Sequence, residues 1–373
     1  MFLVSILLIY TVPTIYAYFR LKKFFPRPLP KIVFTLFYLF VAFGFFIGEI
    51  LSHRTSGGGW LKYIILVGFY TLPFLLYLLL AVFLLDILRG ANRLLKIVPV
   101  EAIRNRKFQS TTIWMLFVIP IIIVFMGAIH AKTIRVNRYE VDIPRKSAVI
   151  NHLKIALASD FHLGQITDKR FLEEFTGVLQ TLNPDIILLP GDIIEGRRDD
   201  EKTTAFARQF RLIKSKYGLY GALGNHDSHN RDENLKFFAD AGIKVLADEI
   251  IPIANSFYLV GRNDARSDNR KPIDVLLRQT ANDLPVIVLD HRPTDIEAAS
   301  QSGVDIQLSG HTHNGQLFPL NFIVGEMYGL AWKYRKVRNT HLFVTSGIFV
   351  WGPPVRTAGD SEIMIIDVNF EDN

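Results

Sequence analysis

The sequence predicts two parts of different class: a membrane anchor of about four transmembrane helices over residues 1–131, then, after a connector at 132–150, an α/β domain over 151–373. Three observations carry this. Charge is segregated, because the first 130 residues hold 13 Lys and Arg against three acids, Glu49, Asp86 and Glu101. Of the chain's 42 basic and 35 acidic residues the remainder keeps 29 and 32, so the formal charge of +7 belongs to the first third. Long apolar runs fill that third, whereas beyond it short apolar runs alternate with helix-like segments and end in polar blocks. Basic charge lying between apolar runs does not build a nucleic-acid-binding face. With no cysteine, the chain has neither a disulfide framework nor a thiolate metal site.

Within the anchor, apolar runs at 2–19, 32–51, 63–88 and 113–131 are each of the length that crosses a bilayer, about 20 residues. The first lacks a basic leader and a small-residue cleavage site, so it is a span and not a signal peptide. Basic residues crowd the first connection (Arg20, Lys22, Lys23, Arg27, Lys31) and the third (Arg89, Arg93, Lys96, Arg104, Arg106, Lys107). The second, 52–61, is glycine-rich and has only Arg54 as a full charge. Keeping the positive loops in the cytoplasm predicts a multi-pass protein of the plasma (inner) membrane, with everything after residue 131 extracytoplasmic. Glu49 and Asp86 lie near span ends, where acids are expected to snorkel to the interface. No transport motif is visible in these runs.

The α/β domain is read from five β-rich runs: 155–159 before Asp160, 186–190 before Gly191-Asp192, 219–223 before Gly224-Asn225, 286–289 before Asp290-His291, and 304–308 before Gly310. Helix-like segments at 169–182, 203–216 and 234–241 fall between them. Such alternation predicts buried strands, with ligands collecting beyond their carboxyl ends. Further strands are expected at 341–345 and 362–368, joined by the turn-rich 351–354.

Every polar block therefore falls where a site would be. His311 and His313 stand two apart in Gly310-His311-Thr312-His313, which puts their Cβ atoms roughly 6.5–7 Å apart on one side of an extended segment. Two metal ions about 3.5–4 Å apart could each take one imidazole. The other blocks are Asp160-Phe161-His162, Gly191-Asp192, Gly224-Asn225-His226-Asp227 and His291, and together the blocks hold five of the ten histidines. Each residue also has a plainer role. Asp160 could cap a helix, Asn225 could be a turn residue, and Asp227 could cap a helix or orient His226. Arg356 could meet a substrate anion or lie on the surface, and 349–351 could be core or face the bilayer. The charged connections 195–202 and 262–271 adjoin strand ends and are expected to frame the site.

Taken in order, the blocks resemble the calcineurin-like metallophosphoesterase superfamily, in its membrane-anchored bacterial branch, over about residues 153–367. The resemblance implies an αββα sandwich and two divalent metal ions, with Mn²⁺, Fe²⁺/Fe³⁺ or Zn²⁺ suited to sulfur-free ligands. One ion would be held by Asp160, His162, Asp192 and His313, the other by Asp192, Asn225, His291 and His311, with the Asp192 carboxylate bridging. It implies catalytic roles for His226 and Asp227, and hydrolysis of a phosphoester or pyrophosphate by a metal-activated water. The expected partners are the lipid bilayer and a phosphorylated small molecule or lipid, and not nucleic acid. One rival is a UDP-2,3-diacylglucosamine pyrophosphatase with a cytoplasmic-facing domain; another, of a different class, is a non-catalytic metal-binding membrane sensor. Asn314 departs from the pattern, since this branch usually has glycine there.

Overall fold

A computed structural model describes residues 2–25, 27–54, 59–196, 200–278, 280 and 283–372, for residues 2–9 and 200 through the backbone alone. It divides into an apolar helical unit, Met1–Ile129 with Gly352–Val355, and an α/β unit, His130–Trp351 with Arg356–Asn373.

The helical unit contains α1 (Phe2–Lys22), α2 (Pro28–Arg54), α3 (Leu61–Leu95), the short α4 (Val100–Arg104) and α5 (Arg106–His130). Among the described residues, α2, α3 and α5 are long and apolar enough to cross a membrane. The first expected span coincides with α1, which has 21 residues. The glycine-rich residues 55–58 lie outside the described part. Small residues let α2 and α3 touch: a Cβ on Gly68 would lie 2.5 Å from the Gly44 carbonyl oxygen and 3.1 Å from Gly48 Cα. Asp86 does not simply snorkel. Its carboxylate is held by the Arg20 guanidinium and the Tyr16 hydroxyl, with Arg89 at 3.8 Å. An acid in an apolar unit is costly unless paired, and here it ties α1 to α3. Glu49 pairs with His53 one turn on, at 3.1 Å.

The α/β unit starts with a correction. Residues expected to form a connector instead contain an eleven-residue strand, β1 (Ile134–Pro144). Its apolar residues alternate with Arg135, Asn137 and Glu140, so no continuous apolar run announces it. There follow β2 (His152–Leu157), α6 (Lys169–Leu182), β3 (Ile186–Pro190), α7 (Asp200–Arg211), β4 (Leu219–Ala222), α8 (Arg231–Ala241), β5 (Lys244–Val245) and β6 (Glu249–Ile253). Next come β7 (Phe257–Gly261), α9 (Ile273–Leu277), β8 (Val286–Leu289), α10 (Ile296–Gln301), β9 (Ile306–Ser309) and a 3₁₀ turn (His313–Gly315). The chain closes with α11 (Leu320–Tyr328), β10 (Lys333–Val337), β11 (Thr340–Val344) and β12 (Ser361–Glu371).

The strands form two mixed sheets of six, ordered β1-β12-β2-β3-β4-β5 and β10-β11-β9-β8-β7-β6. β12 runs parallel to β1 and antiparallel to β2, while β2 to β5 and β7, β8, β9 and β11 are parallel neighbours. One apolar cluster draws on both sheets, with Ile155, Leu188 and Ile366 from the first and Leu259, Ile287 and Leu308 from the second. A second cluster joins the first sheet to α6, α7 and α8 through Phe175, Phe210 and Phe237. A third joins β7 and β8 to α9 and α10. Strands covered on both faces read as unbroken apolar runs, and all five residues of β3 are buried.

Two glycines test this packing in opposite senses. A Cβ on Gly261 of β7 would lie 2.5 Å from the backbone oxygen of Leu246, where neither side can yield. Gly177 is an exposed position of α6 with nothing within 4 Å of its Cβ site. Gly261→Ala should cost about 1–3 kcal/mol through overpacking, whereas Gly177→Ala should gain about 0.5–1 kcal/mol of helix propensity. Thermal unfolding in detergent should therefore show a Tm lowered by the first and raised by the second; a Tm unchanged or raised by Gly261→Ala would contradict the close approach.

Candidate metal centre

The polar blocks all emerge beyond the carboxyl ends of β2, β3, β4, β8 and β9. Backbone hydrogen bonds join the emerging loops: Asp160 N–H donates to Gly191 O at 3.1 Å, His162 N–H to Asp192 O at 3.1 Å, and Gly310 N–H to His291 O at 2.9 Å. In the first block, Phe161 turns into the helical layer, its ring 4.9 Å from that of Phe175 and 5.4 Å from that of Phe210. That anchor leaves Asp160 and His162 to the site. Glycine is required where loops meet, since a Cβ on Gly191 would lie 2.6 Å from Gly224 N and 2.8 Å from His291 Nδ1. Five of the seven candidate ligands (Asp160, His162, Asp192, His311 and His313) have positive φ, between 43° and 71°. Left-handed backbone at non-glycine residues costs of order 1–3 kcal/mol each and collects where function demands it.

Among the described residues, side chains that could hold a cation fall into three groups: Asp160 with His162 and His313, Asp192 with His291 and His311, and His162 with Glu195 and His226. In the first, the Nε2 atoms of His162 and His313 are 3.0 Å apart, and Asp160 Oδ1 lies 3.5 Å from the latter. In the second, His291 Nε2 is 3.0 Å from Asp192 Oδ2. Its ring is fixed from behind, where Nδ1–H donates to the Pro190 carbonyl at 2.8 Å. Asn225 Oδ1 is buried without a hydrogen-bond partner. Converging imidazole nitrogens, carboxylate oxygens and an unsatisfied amide oxygen are a donor set that fits hard or borderline divalent cations. The residues present therefore fit the expected metals.

Glu195 completes the arrangement. One oxygen, Oε2, accepts from His162 Nδ1 at 2.7 Å and from His226 Nδ1 at 2.8 Å. A carboxylate behind a ligating histidine fixes its ring and tautomer. Sequence reasoning placed Glu195 only in a framing connection; its signal was an acid three residues beyond Asp192. Asp227 does something different from either expected role. It is fully buried and accepts from the backbone N–H groups of Ile193, Ile194 and Gly224, each at 3.0 Å. It staples two loops, while Glu195 orients His226 and Asn230 precedes α8.

Burial and charge set the protonation pattern. Burial depresses His311 to about 2, helped by the charges of His291 and Arg292. Burial and the charge of His162 likewise hold His313 well below its usual value. Neutral imidazole is the form that takes a metal. Burial also works against Glu195 and His226, but their mutual hydrogen bond and His162 or Asp192 outweigh it, leaving Glu195 at about 2 and His226 at about 9. Asp192 is likewise held well below the carboxylate range by His291 in spite of its burial. Burial, with the charge of Asp192, raises Asp227 to about 6.

Around the rim, several expectations change. Arg356 is neither a surface residue nor a substrate contact: it is fully buried and donates to the carbonyls of Ser346 at 2.9 Å and of Phe349. Phe349 and Val350 are core, whereas Trp351 is 43% exposed, with its ring 6.5 Å from that of His226. Asn314 has φ 47° and ψ 39°, a conformation asparagine tolerates and glycine adopts freely. The connection 262–271 is knitted by ion pairs, Arg262 to Asp290 at 2.9 Å and Arg270 to the same oxygen at 2.6 Å. Of the connection 195–202, residues 197–199 lie outside the described part. Of the histidines without an expected role, His229 Nδ1 donates to the Asn225 carbonyl at 2.8 Å, bracing that turn.

If Glu195 positions both histidines, Glu195→Gln should weaken metal binding about 10- to 100-fold, the usual effect of removing such a support. A Mn²⁺ titration of the purified chain reads this directly, and an unchanged affinity would remove Glu195 from the centre.

The sequence pattern of the calcineurin-like phosphoesterases matches residues 153–315. A metallophosphoesterase of Helicobacter pylori is 31% identical over 221 residues, 57% of this chain and 58% of its own length. The chain thus spans a little over half of that relative. One from Aquifex aeolicus is 28% identical over 263 residues, 68% of this chain and 99% of its own. A transmembrane protein with a metallophosphoesterase domain from Danio rerio is 28% identical over 284 residues, 70% of this chain and 63% of its own. Residues 153–315 thus carry the pattern of the calcineurin-like phosphoesterases, and the relatives that share it are metallophosphoesterases.

Proposed function

We propose that the α/β unit is a metal-dependent phosphoesterase with the expected αββα-sandwich arrangement, carried on four membrane spans, which hydrolyses a phosphoester or pyrophosphate bond of an amphiphilic substrate. The observation that carries this is that the expected histidine and aspartate ligands meet in two groups without His226, whose own grouping with His162 runs through Glu195. Its Nδ1 is engaged by Glu195 at 2.8 Å, while its Nε2 reaches to 4.0 Å from Asp192 Oδ2.

Asp160, His162, Asp192 and His313 would hold one ion, and Asp192, Asn225, His291 and His311 the other. When bound, the ions supply Lewis acidity toward the phosphoryl group and lower the pKa of water. The remaining work belongs to the protein. Glu195 keeps a proton on Nδ1 of His226 and favours the charged ring, so the Nε2–H is available to a leaving oxygen. Its side chain is 25% exposed, enough to meet a substrate. A non-catalytic sensor would need the ligands but not this braced acid. Asp192→Asn should lose activity together with at least one metal ion. His226→Ala should keep its metal and lose about 10²–10⁴ in kcat, the usual worth of general acid catalysis. The loss should be smaller on an aryl phosphate, whose leaving group needs little protonation, than on an alkyl phosphodiester. Metal analysis beside rates on both substrates decides: missing metal makes His226 a ligand, and equal losses rule out the acid.

The charge of the connections supports an extracytoplasmic domain, with 20–31 and 89–107 inside. An exported-side phosphatase reporter fused after residue 373 should be active. Bright fluorescence from a cytoplasm-only reporter at that end would reverse the orientation and favour the lipid A pathway pyrophosphatase instead.

A further inference from the structure

One helix of the α/β unit breaks the rule that the others obey. α6 buries Phe171, Leu172, Phe175 and Leu179 beneath it. α11, nine residues of sequence LNFIVGEMY, has no buried residue. Phe322, Ile323 and Met327 are 64%, 59% and 71% exposed, and Phe318 just before the helix is 50% exposed. Scattered apolar residues on a surface need no explanation, but a contiguous exposed set on one short helix marks a contact site. Glu326 is the single charge within the helix and is itself exposed.

The strand after the helix has a definite chemistry. β10, an edge strand of sequence KYRKV, begins five residues after α11 and is exposed over its first four residues. Lys333 and Arg335 are both exposed; the Lys333 ammonium lies 4.6 Å from the centre of the Trp332 ring, and the Arg335 guanidinium reaches back to 3.7 Å from the Cβ position of Gly329, at the end of α11. Apolar side chains beside a row of cations match the two layers of an anionic membrane surface, acyl boundary and phosphate headgroup. The same chain carries three helices long and apolar enough to cross a membrane, which makes a bilayer the surface at hand. A second protein would call for a shaped apolar groove and would not by itself explain the basic flank.

The helix is coupled to the candidate metal centre. Only residues 316–319 separate it from the turn His313–Gly315, and a Cβ on Gly315 would lie 2.6 Å from Asn321 N. Tyr328, the last residue of α11, sets its ring edge-on to that of His311 with centroids 5.8 Å apart. We propose that α11 and the cations of β10 form a lipid-contacting surface that lies in the interfacial layer of the bilayer and presents the centre to phosphate-bearing headgroups. The last clause rests on the phosphoesterase reading; the docking itself does not.

The absence of native cysteine makes the test direct. Phe322→Cys, Ile323→Cys and Met327→Cys, each carrying a fluorophore, are compared with Leu212→Cys, an exposed apolar position just beyond α7. The full-length chain is reconstituted in vesicles of phosphatidylglycerol and phosphatidylcholine. Labels on α11 should be quenched by nitroxide lipids, at a depth of about 5–10 Å, and shielded from aqueous iodide, with Leu212→Cys behaving in the opposite way. Iodide reaching all four labels equally would overturn the proposal. So would labels on α11 shielded from both quenchers, which means that protein covers the helix. Lys333→Glu with Arg335→Glu should reduce lipid quenching in anionic vesicles; no reduction would overturn the role given to β10. Aryl phosphate hydrolysis is followed in parallel: its absence would sink the phosphoesterase reading without touching the quenching pattern, which should persist in Asp192→Asn.

Discussion

The α/β unit is governed by one constraint: five imidazoles, His162, His226, His291, His311 and His313, must share a small space with the carboxylates of Asp160, Asp192, Glu195 and Asp227. Unpaired, such groups cannot be buried without a large penalty. The chain meets this by pairing in layers. Asp192 faces His291, Glu195 serves two rings from behind, and Asp227 is neutralised by three backbone N–H groups. Asn225 Oδ1, still without a partner, points to the remaining complement being a cation.

Rigidity follows from the same constraint. Left-handed backbone at five candidate-ligand positions persists only if the surroundings over-determine it. Phe161 in its aromatic cluster, Gly191 wedged between loops, and Arg356 clasping carbonyls from inside provide that over-determination. Buried strands fix where the loops start, and parallel pairing puts those starts on one edge. The site is thus a consequence of packing as much as of its own chemistry.

Polar and apolar groups are handled by one logic in both units. In the helical unit, Asp86 is satisfied by Arg20 and Tyr16, since the apolar side chains around it offer no hydrogen bond. In the α/β unit, the exposed apolar residues of α11 have no protein cover, which is the reverse imbalance. A charge without a partner and an apolar face without a cover are both costly, and each points to its missing complement.

The sequence alone determined much of this. Segregated charge and long apolar runs located the helices, and strand-ending polar blocks contain all seven candidate ligands, which the family resemblance singled out; both signals are local, and the strands are apolar on both faces. Tertiary structure decided the rest. β1 alternates charge with apolar residues and finds its partner in β12, Ile134 against Ser361, a pairing that no local window contains. Glu195 became a shared support only when the loops bearing His162 and His226 met around it. Asp227 and Arg356 looked like polar loop residues until folding buried them against backbone groups. α11 has the composition of a core helix, and only the fold could leave it uncovered. Composition and spacing fix what a segment can bury; which neighbour it meets depends on contacts between residues far apart in the chain.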